Sequence, residues 1–284
     1  MPDKKIGVVV VHGIGSQGDK RPDTSGEITF SREMHKRVMK GLGPQTADVA
    51  WREVFWSDVL QGRQDAYLKK IKRKTGWDTV RKFVMSNLSD AASYQLTPDG
   101  LDRTYQDIHQ RVEDTIRDME ADIGPDGQIV ILAHSLGGHI MSNYIYDQQA
   151  HMRRNDGQGM HGSALQNMTT VSGLITFGCN IPVFVFSYPE EDVTPIDFPG
   201  TALPDAKRFK TWWYNFYDKQ DILGYPMADT SPAYGDLSKA KKLRDVSINA
   251  GSTFSAWNPL SHNAYWRDSD VIDPIVRFIQ NMLR

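Results

Sequence analysis

The chain has 284 residues, 39% hydrophobic and 24% charged, with a formal net charge of −2 and one cysteine. A chain of this length buries about three quarters of its unfolded surface, so one large core is sufficient, and the near-neutral charge balance excludes a basic nucleic-acid-binding surface. The lone Cys179 excludes an internal disulfide framework and suits a reducing compartment.

Lys4-Lys5 ahead of Ile6 to Val11 has the outline of a secretory leader. Six apolar residues are too few, however, and His12 and Gly13 end the run with no small-residue cleavage site. No apolar stretch approaches the length of a transmembrane segment, so a soluble, cytoplasmic protein is expected. Val8-Val9-Val10-Val11 reads as a strand buried on both faces, followed by Gly13, Gly15, Gly18 and a polar loop to about Gly26. Ser31 to Met39 reads as a helix stopped by Gly41, Gly43 and Pro44. Val49 to Trp56 is the next strand. Residues from about 58 to 97 are helical in composition, and the basic run Lys69-Lys70-Ile71-Lys72-Arg73-Lys74 reads as a solvated helix end. Leu101 to Ile123 is a long amphipathic helix ended by Gly124-Pro125.

A buried strand beginning at Ile129 then runs into Ser135, and a helix continues from Leu136 to Gln149. After a glycine-rich linker from Asn155 to Gly162 come strands at Thr170 to Phe177, Trp212 to Tyr217 and Asp245 to Ile248, and a closing helix from Val271 to Leu283. The connection over about 180–209 carries Pro182, Pro189, Pro195, Pro199 and Pro204, a density that argues against a regular helix or central strand. Its apolar half, Val183 to Tyr188, either lines a substrate pocket as a lid-like loop or patches the core beside the sheet. Strands alternating with helices at this spacing predict the α/β class, with a doubly wound, mostly parallel sheet covered by helices on both faces. A single domain over 1–284 is expected, with a helical insertion at about 58–97.

The junction Ala133-His134-Ser135-Leu136-Gly137-Gly138 is the most informative feature. Ala133 and Gly137 flank the serine two positions away on either side, as a sharp strand-to-helix turn requires, because a larger Cβ there meets the facing backbone. Such a turn places the serine oxygen at a helix N-terminus, where unpaired N–H groups favour negative charge. The bland alternative is a serine N-cap in an ordinary loop. The strand before it and the helix after it favour a nucleophile.

This segment resembles the nucleophile elbow of the α/β-hydrolase superfamily in its lipase and esterase form, with Ala133 where that pattern usually has Gly. The resemblance runs from the Val8 strand to the closing helix and implies an α/β-hydrolase fold. It also implies a catalytic triad in which acid and histidine follow the serine. A serine hydroxyl needs a base to take its proton. Of the eight histidines, His134 adjoins Ser135 with its side chain leaving the turn in another direction, His139 lies one turn down the helix, and His151 and His161 belong to the linker. His262, between the last strand and the closing helix, stands where the family keeps its base.

The acid is expected in the loop after Tyr217, which offers Asp218 and Asp221. Asp221, followed by two aliphatic residues, resembles the family's Asp-Pro-Val type turn and is favoured, whereas Asp218 suits a strand-end cap. The oxyanion donors are expected to be the N–H of Leu136 and, because His12-Gly13-Ile14-Gly15 resembles the His-Gly-x loop of lipases, the N–H of Ile14. The imidazole of His12 is expected to fix that loop. The resemblance implies a serine hydrolase cleaving carboxylic esters of the acyl or lipid type through an acyl-enzyme. Its partner is a small-molecule ester, and no cofactor is needed. Thioesters and amides suit the same machinery, and a non-catalytic hydrolase-fold binding protein is the alternative of a different class.

Two rival chemistries fare worse. Gly13-Ile14-Gly15-Ser16-Gln17-Gly18 matches the dinucleotide-binding pattern after a strand, but Asp19 to Gly26 cannot make the helix which that turn must open. No H-E-x-x-H or C-x-x-C spacing is present, so a zinc hydrolase is not expected.

Overall fold

Runs of β-branched residues with no polar alternation make strands that are buried on both faces, and such strands pair in parallel beneath two helical layers. A computed structural model of the chain describes residues 4–13, 24, 26–59, 94, 103–186, 188–250 and 261–284. Six strands form one sheet: β1 (Ile6–Val11), β2 (Val49–Val54), β3 (Gln128–His134), β4 (Val171–Phe177), β5 (Trp213–Asp218) and β6 (Leu243–Ile248). Their order is β2-β1-β3-β4-β5-β6, and every neighbouring pair is parallel. Among the described residues the α-helices are α1 (Arg32–Leu42), α2 (Arg103–Ile123), α3 (Leu136–Arg154), the short α4 (Ile181–Val185), α5 (Pro232–Lys239) and α6 (Ser269–Met282).

Alternate strand residues divide the core in two. Val9, Val11, Ile129 and Ile131 face Ile108, Val112 and Ile116 of α2 and Ile140 and Tyr144 of α3. Val8, Val10, Val130 and Leu132 face Met34 and Val38 of α1 and Val271, Ile275 and Ile279 of α6. The protein is therefore an α/β protein with a parallel sheet flanked by helices on both faces. Among the described residues, no helix is long and apolar enough to cross a membrane. Cys179 packs in the core, and burial pushes its thiol up to about 12.

Several expectations need revision or fall elsewhere. Gly41 does not stop α1: a Cβ on it would lie 2.7 Å from Val276, so it is a point of close approach to α6. A helix, α5, forms where none was expected. Ser231 caps it by accepting from the Tyr234 N–H, and Pro232 sits in its first turn, where a missing N–H is tolerated. In the proline-dense connection Pro182 likewise opens the five-residue α4. There Phe184 stacks on His139 at 4.5 Å, Phe186 and Tyr188 are exposed, and Val193, Ile196 and Leu203 are buried. Residues 60–93 and 95–97 of the expected insertion, with the basic run, lie outside the described residues, as does Ile14.

Candidate active site

A wholly parallel sheet delivers all its strand ends to one edge, so the segments after β1, β3, β4 and β5 and before α6 meet there. The chain leaves β1 for β2 on one side and returns to β3 on the other. Such a switch in strand order opens a crevice between the β1 and β3 ends. His12 and Gly13 follow β1, and Ser135 follows β3.

Ser135 has φ 54° and ψ −128°, a conformation that residues with a side chain rarely adopt. Its N–H donates to the Phe177 carbonyl at 3.1 Å, and its own carbonyl accepts from the Gly138 N–H at 3.0 Å, so the strained turn is held from both sides. The turn also needs its glycines. A Cβ on Gly137 would lie 2.7 Å from the His12 carbonyl oxygen, and one on Gly13 would lie 2.3 Å from Ser135 Cβ and 3.0 Å from its Oγ. The β1 loop thus passes directly against the serine. Leu136 opens α3, so its N–H is one of the helix's unpaired first-turn donors.

His12 is locked rather than available. Its Nε2 accepts from the Trp56 N–H at 3.2 Å, which leaves Nδ1 to donate to the Gly13 carbonyl at 2.7 Å, and its ring stacks on Trp56 at 4.9 Å. Burial lowers its pKa to about 4, so it is neutral at pH 7.

His262 lies on the 3₁₀ turn Ser261–Arg267, and its Nδ1 donates to Asp221 Oδ2 at 2.8 Å. Ser135, Asp221 and His262 are 2%, 5% and 6% exposed, so this ion-pair geometry is shielded from solvent. A buried carboxylate must be saturated with donors. Asp221 also accepts from Tyr265 Oη at 2.9 Å and, through Oδ1, from the Leu223 N–H at 3.0 Å. Asp218 makes a different set of bonds, to the N–H groups of Gln220 (2.8 Å) and Ala250 (2.7 Å), and none of these involves His262. Gly178, at φ 56°, makes room for the pair: a Cβ there would lie 2.9 Å from the Tyr265 ring and 3.1 Å from His262 Cε1.

With Nδ1 donating to a carboxylate, His262 keeps its lone pair on Nε2. That atom is buried and has no hydrogen-bond partner among the described residues, so it is not bonded to Ser135 Oγ here. Such bonds are commonly long without substrate. The serine and the histidine are linked through His134. Its ring lies 4.6 Å from that of His262, and its Nε2–H donates to the His262 carbonyl at 2.8 Å. Burial holds His134 well below its ordinary pKa, with the neighbouring His262 adding to the effect.

The structure therefore brings together Ser135, Leu136, Asp221 and His262, with Gly13 against the serine. Sequence reasoning missed Tyr265 and His134. Tyr265 had a faint signal, three residues after His262 and so one 3₁₀ turn away. The His134 side chain leaves the turn in another direction from Ser135, as expected, yet that direction is where the His262 backbone passes. Among the described residues no group of three or more His, Cys, Asp or Glu is placed to hold a metal ion. Comparison with protein-family models and with curated proteins found no match for this sequence.

Proposed function

We propose that this protein is an α/β-hydrolase of the serine esterase type, cleaving carboxylic esters of the acyl or lipid type in the cytoplasm. The observation that carries the reading is the buried His262–Asp221 pair, whose Nε2 has no hydrogen-bond partner among the described residues, packed against His134, the residue before the strained Ser135 turn. Ser135 Oγ attacks the ester carbonyl while His262 Nε2 takes its proton, and Asp221 holds the imidazole in the correct tautomer and stabilises its cation. The tetrahedral oxyanion is held by the N–H of Leu136 and by the expected donor Ile14. Collapse expels the alcohol, which carries away the proton from His262 and leaves an acyl-serine. Water, deprotonated by the same nitrogen, then attacks the acyl group and frees the acid and Ser135. No cofactor enters this sequence.

The test is hydrolysis of a p-nitrophenyl ester by wild type and Ser135→Ala. A fall of at least about a thousandfold in a normally folded variant is expected. Retained activity in a clean preparation moves the nucleophile elsewhere, and a wild type without activity favours the binding-protein alternative.

A further inference from the structure

Asp221 Oδ2 accepts from two donors at once, His262 Nδ1 at 2.8 Å and Tyr265 Oη at 2.9 Å. The direction of the second bond is fixed. Tyr265 Oη accepts from the Asp218 N–H at 2.8 Å, so its single proton is committed to Asp221. His262 and Tyr265 stand three residues apart on a 3₁₀ turn, where positions i and i+3 eclipse, and this lets both side chains reach one oxygen. The Tyr265 ring is fully buried, at 6.3 Å from Phe177 and 6.1 Å from His134.

From this geometry we infer that Tyr265 is a positioning residue that sets both the placement and the proton affinity of His262, by sharing the carboxylate oxygen His262 depends on. The inference rests on the reading of His262 as the base, but its primary readout does not require turnover. A second donor on Oδ2 draws off negative charge that would otherwise stabilise the imidazolium. Through the Asp218 N–H, the same hydroxyl ties the loop after β5 to the turn carrying His262. Among the described residues, the other ionisable group facing the imidazole is His134, which burial keeps neutral, and the Asp218 N–H bonds to the Tyr265 hydroxyl rather than to the ring. Burial, reinforced by the Asp221 charge, pushes the Tyr265 hydroxyl far above its ordinary range, so it stays a donor at every pH at which the protein is folded.

The experiment is an NMR titration of ¹⁵N-labelled imidazole, with the His262 resonance assigned by its loss in His262→Gln. It compares wild type, Tyr265→Phe, and protein carrying 3-fluorotyrosine at position 265, a near-isosteric but stronger donor. Tyr265→Phe is expected to raise the His262 midpoint by about half a pH unit relative to wild type, and the fluorinated residue to lower it. A purely structural tyrosine produces no such pair of opposite shifts. In ester hydrolysis Tyr265→Phe is expected to lower kcat about tenfold with KM little changed. A midpoint unmoved by fluorination overturns the proposal even if Tyr265→Phe fails to fold. Shifted midpoints in a protein with no esterase activity uphold it while refuting the proposed reaction.

Discussion

His262 and His109 each lie beside an aspartate and a tyrosine, but the two clusters distribute their hydrogen bonds in opposite ways. At the sheet edge, Asp221 takes His262 Nδ1 at 2.8 Å and Nε2 is left unpartnered among the described residues. Between α2 and α3, Tyr94 Oη occupies His109 Nε2 at 2.8 Å, while Asp147 accepts from Tyr105 Oη at 2.7 Å and stands 3.6 Å from His109 Nδ1. Burial, with His139 adding to it, lowers the His109 pKa to about 3, so its ring is a neutral, internally engaged member of a helix interface. The same residue types thus serve packing in one place and suit proton transfer in the other. The difference lies in which ring nitrogen is left free, not in composition.

Exchanging the three aspartates sharpens this contrast most. Asp221→Asn is expected to cut turnover about a thousandfold, by leaving the imidazole in the wrong tautomer. Asp218→Asn should cost turnover far less but weaken the loop bonds to Gln220 and Ala250, with a stability loss of about 1–3 kcal/mol. Asp147→Asn should leave turnover within about twofold. Should Asp218 rather than Asp221 prove decisive in steady-state kinetics, the acid has been misassigned.

The next effect is steric. Gly13→Ala puts a methyl within clashing distance of Ser135, and a displacement near 1 Å at a nucleophile costs about a hundredfold. Its kcat/KM should fall by that order, and an unchanged value would mean that the β1 loop does not border the reacting centre.

Acid stability tests the other side of the comparison. His12, His109 and His139 have folded-state pKa values of about 4, 3 and 4, below the ordinary 6.5. Below pH 6.5 the unfolded chain therefore binds protons that the folded chain refuses. Each such histidine removes up to about 1.4 kcal/mol of stability per pH unit as the pH falls from 6.5 towards its folded value. Chemical denaturation at pH 7.5 and 5 should show this loss, and His109→Phe should flatten it. Equal slopes in wild type and variant would contradict a neutral, buried His109.

The smallest effects lie in the connection after β4. Phe186 is 79% exposed, so Phe186→Ala should leave stability within about 0.5 kcal/mol. If that segment borders the acyl site, the variant should weaken hydrolysis of long-chain esters about fivefold relative to acetates. Phe184→Ala should instead lower the melting temperature, because it removes a ring stacked on His139. Equal losses on both esters would mean that Phe186 does not border the acyl site.

Much of this arrangement was legible in the sequence because the strands are unbroken apolar runs. Val8 to Val11 and Ile129 to Leu132 are entirely buried and adjacent in the sheet, as two-faced strands must be. The serine turn was legible because small residues at Ala133 and Gly137 mark a sharp strand-to-helix turn, although the backbone that Gly137 must clear, the His12 carbonyl, is delivered by the end of β1. Asp221 and His262 lie 41 residues apart and could be paired only through the order of a resembled family. Tyr265 and His134 act on backbone or side-chain atoms delivered by other elements, and no local pattern encodes that. Gly41 was misread because glycine marks both helix ends and close helix contacts, and only the position of Val276 distinguishes them.

The central claim is that Ser135 is activated by His262, and active-site labelling tests it without knowledge of the natural substrate. Wild type treated with a fluorophosphonate probe should gain one adduct that peptide mass spectrometry maps to Ser135, and His262→Gln should react at least about a hundredfold more slowly. An unlabelled wild-type protein, or a label on another serine, would contradict it.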